Sequence, residues 1–265
     1  MTTTRTVTRG AITAALATAL SLGITSTAVA VPAGPDRAGA SRTAVAQQPG
    51  DGWTGEGGLS LGPADNQRVD DYIEAARRAE RDISPQVRAA AWIAGAEVIG
   101  FENRLKSPDS LKRKVATSLK EHPGQSAEDA LATLSDAVRY TLQLRDDQYT
   151  DGVTTAARTL SAWGNDSTKW SNTWGRSQGY KGLNTVWRAP RSAQLFEVQF
   201  HTPASKQAQE ATHKLYEEQR LPGTGPERKK QLQEQQNALF AAVPVPAGAD
   251  RLTAPLPARL PVPLG

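Results

Sequence analysis

GYKGLNTVWRAPRSAQLFEVQFHT, residues 179–202, decides the fold. From Leu195 to His201, Phe196, Val198 and Phe200 alternate with Glu197, Gln199 and His201. Successive strand side chains point to opposite faces, so this run is a strand with one apolar face. Its other face carries a carboxylate, an amide and an imidazole. Such a polar row either meets solvent, as in any amphipathic strand, or lines a cleft. Leu183–Arg188 just before it is a second strand.

Upstream, residues 137–144 (AVRYTLQL) alternate Val138, Tyr140, Leu142 and Leu144 against Arg139, Thr141 and Gln143, which is a third strand. Residues 169–174 make a fourth. Around them the period is helical. Asp65 caps a helix over 66–81 with Val69, Ile73 and Ala76 on one face. Ser84-Pro85 opens a second helix toward Phe101, proline suiting a first helical position. Ser107-Pro108 opens a third, and 126–134 and 150–163 give two more. Helices over 204–219 and 226–242 close the pattern. Helices, a small mixed β-sheet and further helices make an α+β domain.

The ends are different. Arg5 and Arg9, the short apolar run 11–24 and Ala28-Val29-Ala30 make residues 1–30 an export signal cleaved near Ala30. The run is too short and too rich in Ala and Thr for a membrane span. The expectation is therefore a secreted, soluble chain with no membrane partner. Residues 31–62 are rich in Gly, Ala and Pro without periodicity and read as a flexible leader. The catalytic domain is then 63–242. From Val243 to the C-terminus at 265, prolines every few residues preclude helix and central strand, so this tail should run extended over the surface.

Composition narrows the chemistry. The formal net charge is +4, and loss of Arg5 and Arg9 with the signal leaves +2. That surplus is too slight to argue for nucleic acid. The absence of cysteine excludes disulfides, thiolate metal sites and a cysteine nucleophile. His122, His201 and His213 do not show the spacing of His-Asp metal pairs.

Residues 103–114, NRLKSPDSLKRK, place Arg104 and Lys106 before the third helix and Ser110, Arg113 and Lys114 on its first turns. Cations beside a helix N-terminus suit phosphates, because free N–H groups and the dipole add to them. Asp136 precedes one strand and Glu197 lies on another. Alone Asp136 is an ordinary turn or cap residue; joined with Glu197 it would give two carboxylates of the kind that hold Mg²⁺ alongside substrate phosphates. Tyr180, flanked by Gly179 and followed by Lys181 and Gly182, is an aromatic on a turn that either stacks on a base or covers a core edge.

These residues carry a resemblance. RLKSPDSLKRK resembles the donor-binding segment of RelA/SpoT-type (p)ppGpp synthetase domains, GYKGLNTVW resembles that family's Gly-Tyr-Arg/Lys-Ser-Leu-His-Thr segment, and FEVQFHT resembles its Glu-x-Gln strand. The motifs stand in the family's order over residues 100–220. With an export signal, the chain looks most like the secreted nucleotide 3′-pyrophosphokinases, and ATHKLYEEQR and DAVRYTL are also similar to synthetase-like toxin domains. The resemblance implies ATP as donor, purine nucleotides as acceptors and Mg²⁺. It makes Glu197 the base and a metal ligand, and Asp136 the second ligand. It places Arg104 on the donor adenine and Lys106, Ser110, Arg113 and Lys114 on its phosphates. It places Tyr180 on the acceptor base and Lys181, Asn184, Gln199 and His201 on the acceptor's ribose and phosphates. Asn184 stands where the family has His. Asp136 stands three residues before Arg139 where the family has five, and both odd spacings keep the two on opposite faces. A toxin acting on nucleotides or tRNA ends and an inactive nucleotide-binding module are the competing expectations.

Overall fold

The computed structural model describes residues 51–221 and 223–256. The expected export signal, most of the leader and the last nine residues lie outside them. In the described part, a five-stranded mixed sheet is flanked by six helices, an α+β architecture. A ribbon of β1 (Trp53–Thr54) and β2 (Ser60–Leu61) leads into α1 (Pro63–Ile93) and β3 (Glu97–Ile99). There follow α2 (Pro108–Glu121), α3 (Ala127–Ala132), β4 (Arg139–Gln143) and α4 (Tyr149–Ala162). Next come β5 (Asp166–Asn172), β6 (Leu183–Arg188), β7 (Leu195–His201), α5 (Pro203–Arg220) and α6 (Pro226–Ala241).

The sheet order is β3-β4-β7-β6-β5, with β4 and β7 parallel and the other pairs antiparallel. Paired residues share a face, so the register fixes both surfaces. One face carries Leu142, Phe200 and Leu183 in one row and Tyr140, Val198 and Thr185 in the next. Helices α1 and α4 close it. Tyr140 Oη lies 2.8 Å from Ser84 Oγ on α1, and Tyr149 Oη of α4 donates to the Phe200 carbonyl at 2.9 Å. The opposite face carries Arg139, Glu197 and Val186, then Thr141, Gln199 and Asn184.

Three segments differ from the sequence expectation. Residues 66–101 were expected as two helices; α1 is one helix through Pro85, and it ends at Ala94. Proline forfeits one backbone hydrogen bond there. The buried stripe of Val69, Ile73, Ala76, Ile83, Val87 and Ala90 nevertheless keeps its phase across it, and burying that stripe outweighs the loss. Gly95, at φ 67°, then lets Ala96 N–H reach the Ala91 carbonyl at 2.9 Å, a left-handed stop that frees Glu97–Ile99 to become a strand.

The end of the supposed leader is the second. Residues 53–61 pair as a ribbon, Trp53 and Leu61 are buried in the core, and Trp53 Nε1 donates to Asp109 at 3.2 Å. Third, the tail's described part crosses β5. Trp170 Nε1 and Asn172 Nδ2 donate to the Leu252 and Ala249 carbonyls, at 3.0 and 2.8 Å, and Ala249 is fully buried. No helix of the described residues is long and apolar enough to cross a membrane.

Candidate active site

The parallel pairing of β4 and β7 creates the site. Glu197 N–H donates to the carbonyl of Val138, two residues after Asp136, at 2.9 Å, so Glu197 stands beside the start of β4. Arg139 is its direct partner across the ladder. Leu105 bridges to Val138, Lys106 N–H donates to the Ala137 carbonyl at 3.0 Å, and Arg139 N–H donates to the Arg104 carbonyl at 2.8 Å. The segment before α2 is thereby stitched to the strand that carries Asp136. Ser107 caps α2, its Oγ accepting from Ser110 N–H at 3.3 Å. This aims the first turns of the helix at the same corner.

Two lysines take both oxygens of Asp136. Lys106 Nζ lies 2.8 Å from Oδ2 and Lys114 Nζ 2.7 Å from Oδ1, around a carboxylate only 3% exposed. Burial pushes the Asp136 carboxyl up, but the charges and hydrogen bonds of Lys106 and Lys114 outweigh it and hold the group well below the usual range. Glu197, 6% exposed, goes the other way. Burial raises its pKa, Arg139 draws it back, and Asp136 pushes it up further. Gln199 donates to Glu197 Oε1 from the same face and fixes the carboxylate's orientation. Two neighbouring carboxylates with oppositely shifted affinities for the proton suit a metal ligand and a base.

Arg104 occupies the rim. Its Nε donates to Glu80 at 2.6 Å and its guanidinium lies 4.4 Å from the Phe101 ring centroid, so one face is backed by an aromatic and a planar, charged surface is held in place. Ser110 accepts a hydrogen bond from Ser107 Oγ at 2.8 Å. Arg113 is not gathered with Lys106 and Lys114 at Asp136. It pairs with Glu56 at 3.2 Å and Asp109 at 3.1 Å, toward the ribbon, because the next position on a helix is turned about 100° away.

The residues expected on the acceptor are brought together, but as a buried polar network. Tyr180 Oη donates to Asn184 Oδ1 at 3.0 Å and lies 3.0 Å from His201 Nε2. His201 is fully buried, its Nδ1 2.6 Å from Ser205 Oγ. Lys181 is buried too, its ammonium donating to the Trp174 carbonyl at 3.2 Å and to the Arg176 carbonyl. Lys181 thus closes the 174–182 loop and His201 anchors α5, each with its hydrogen bonds made inside the protein. Phe240 of α6 packs edge-on to the Tyr180 ring at 5.6 Å, so Tyr180 is half-buried rather than free on a turn. Any side chain at Gly182 would put Cβ 2.6 Å from the Tyr180 hydroxyl, which is why the loop carries glycine there.

Burial lowers the His201 pKa to about 3, with Lys206 adding to the effect. A pH dependence follows. The unfolded histidine gains a proton below about 6.5 while the native one stays neutral. Stability contributed by His201 is thus complete above that pH and is lost as pH falls toward about 3. We expect urea stability to fall by up to about 1.4 kcal/mol per pH unit across that window from this residue. His201→Gln should flatten the slope, and an unchanged slope would show that His201 is not the buried neutral group described.

Two residues at the site were not singled out from sequence. Arg139 was read as the polar side of a strand and as the counterpart of the family's strand arginine, without a role, and its pairing opposite Glu197 follows from a parallel register that no local pattern encodes. Lys206 of α5 is largely buried, donates to Gln209 Oε1 at 2.8 Å and has its charge suppressed first by burial and also by Arg139. Helical spacing alone puts it on a face and does not say which. Among the described residues no three His, Cys, Asp or Glu side chains gather to hold a metal. The pair Asp136 and Glu197 fits Mg²⁺, which takes one or two carboxylates and completes its shell with water and phosphate oxygens.

No family model matches the sequence, and no curated protein matches it. Among solved structures, the chain is similar to the Type VI effector Tas1, solved with its immunity protein, at 19% identity and TM-score 0.45 over 70% of this chain and 97% of that one. It is similar to small alarmone synthetase 1 from Bacillus subtilis bound to its product pppGpp, at 14% identity and TM-score 0.45 over 66% and 91%. A GTP pyrophosphokinase family protein from Streptococcus pneumoniae gives 18% identity and TM-score 0.42 over 66% and 86%.

Proposed function

We propose that the chain is a nucleotide pyrophosphotransferase of RelA/SpoT type, exported from the cell, that moves the β,γ-pyrophosphate of ATP to the 3′-hydroxyl of a purine nucleotide and releases AMP. The observation that carries the reading is the meeting of Glu197 and Asp136 across the β4–β7 junction, with Lys106, Lys114 and Arg139 around them. The ordered motifs of the sequence support it. The acceptor's 3′-oxygen attacks the β-phosphorus, the bond from that phosphorus to the α–β bridging oxygen breaks, and AMP leaves with the bridging oxygen. Glu197 takes the hydroxyl proton, a task suited to a carboxylate whose burial raises its affinity for protons. Lys106 and Lys114 bind the negative charge spread over the transferred group, and Arg104 lies against the donor base. Mg²⁺, held by Asp136 and Glu197, would polarise the phosphate and the attacking hydroxyl. Tyr180 offers its ring to the acceptor, with Asn184 and Gln199 fixing the wall behind it.

The test separates the two ends of ATP. Label at the γ-phosphate should appear in the acceptor and label at the α-phosphate in AMP. Recovery of the α-label as ADP would mean single-phosphate transfer and would overturn the reading. Lys114→Ala, which loses a charge-assisted contact, should raise the donor's KM about tenfold or more and leave the acceptor's KM within about twofold. Steady-state kinetics with each substrate varied in turn checks this, and an effect confined to the acceptor would reverse the assignment of the pockets.

A further inference from the structure

Asp136 is expected to ligate a divalent ion, yet a lysine ammonium occupies each of its oxygens, at 2.8 and 2.7 Å. Asp136 and Glu197 face the three cations Lys106, Lys114 and Arg139 at a corner where Asp136 is 3% and Lys106 8% exposed, so water screens the excess positive charge poorly. A metal entering alone has to displace an ammonium and then sit beside it. A polyphosphate changes that balance. Its anionic oxygens offer the lysines new partners, and a lysine ammonium carries three rotatable donors on a flexible stem. Lys106 is pinned next to Asp136 by its backbone bond to Ala137, whereas Lys114 reaches Asp136 from the surface of α2 with 35% of its side chain exposed.

We propose that Lys106 and Lys114 keep Asp136 closed to divalent ions until a polyphosphate arrives, with Lys114 as the moving part, so that metal and donor enter as one unit. This rests on the reading of both lysines as donor-phosphate groups. It assigns them a second task, guarding the metal ligand in the empty site. By linkage, the metal and the donor each raise the other's affinity by the same factor.

The experiment measures Mn²⁺ binding to the full chain by the loss of the free-ion electron paramagnetic resonance signal. It also measures binding of α,β-methylene ATP calorimetrically with and without Mn²⁺. Removing a positive charge should create metal affinity. Lys114→Met is expected to bind Mn²⁺ without nucleotide about tenfold or more tighter than the parent chain. Lys114→Arg, which keeps the charge, should behave as the parent, and Lys114→Met with Asp136→Asn should lose the gain. Equal Mn²⁺ binding by parent and Lys114→Met overturns the proposal even if the ATP analogue binds. An analogue that fails to bind the parent with or without Mn²⁺ overturns the nucleotide reading instead, and the proposed release by polyphosphate with it.

Discussion

Glu197→Gln is expected to lower kcat about a thousandfold or more and to raise the thermal midpoint at neutral pH. The loss of turnover follows from the proposed role. An amide of the same shape can neither take the acceptor's proton nor ligate a cation as an anion, and removing a positioned base alone costs about 10²–10⁴. The gain in stability follows from burial. Glu197 is 6% exposed, and burial raises its pKa more than Arg139 lowers it. A carboxylate whose native pKa lies above its unfolded value costs stability at every pH where the unfolded group is ionised, and the cost vanishes as pH falls below about 4. The variant should therefore unfold at a higher temperature than the parent at pH 7, with the two curves converging in acid. Gln199, which now donates to the carboxylate, can donate equally to the new amide oxygen. Calorimetric scans at several pH values beside turnover assays check both parts. Near-normal turnover removes Glu197 from the chemistry, and a lower midpoint at pH 7 contradicts the electrostatics described.

Much of this site is visible in the alternation of residues 195–201 and 137–144, because strand side chains alternate faces regardless of tertiary context. The structure puts β6 and β7 at the expected bounds, Leu183–Arg188 and Leu195–His201. What alternation cannot supply is depth. A polar row on a strand looks the same whether it meets water or lies under two helices, and here α5 and Phe240 of α6 cover its His201 end. The row divides accordingly. Glu197 faces the Asp136 corner, while His201 and Lys181 spend their hydrogen bonds inside the protein. Pairing between distant segments was equally hidden. Arg113 and Lys114 are adjacent in sequence, yet one reaches Glu56 of the ribbon and the other Asp136. The unbroken phase of α1 was legible, since Val69, Ile73, Ala76, Ile83 and Val87 continue one stripe through Pro85. Proline's preference for a first turn pointed to a boundary that burial of that stripe overrides.

Asp136→Ala should cost about 3–5 kcal/mol of stability at pH 7, because it leaves the buried Lys106 ammonium, and Lys114 beside it, without their shared partner. Asp136→Asn should cost nearly as much. Its carbonyl can accept from one lysine, but its amide presents donors to the other, and two donors repel. The pH dependence identifies the cause. The native pKa of Asp136 lies below its unfolded value, since the two lysines outweigh burial. Its stabilisation is thus complete above the unfolded value of about 3.9 and is lost as pH falls from there toward the lower native value. The gap between parent and Asp136→Asn in urea unfolding should be widest near neutrality and shrink below about pH 4. Activity assays cannot make this distinction, because in the proposed mechanism loss of Asp136 abolishes turnover at every pH. A second substitution does. Lys106→Met in the Asp136→Asn background replaces the stranded ammonium by an apolar side chain of similar length. It should recover part of the lost stability without restoring turnover. A parent and Asp136→Asn equally stable at pH 7, or a double variant no more stable than Asp136→Asn, would mean that the two lysines do not depend on Asp136 for their burial.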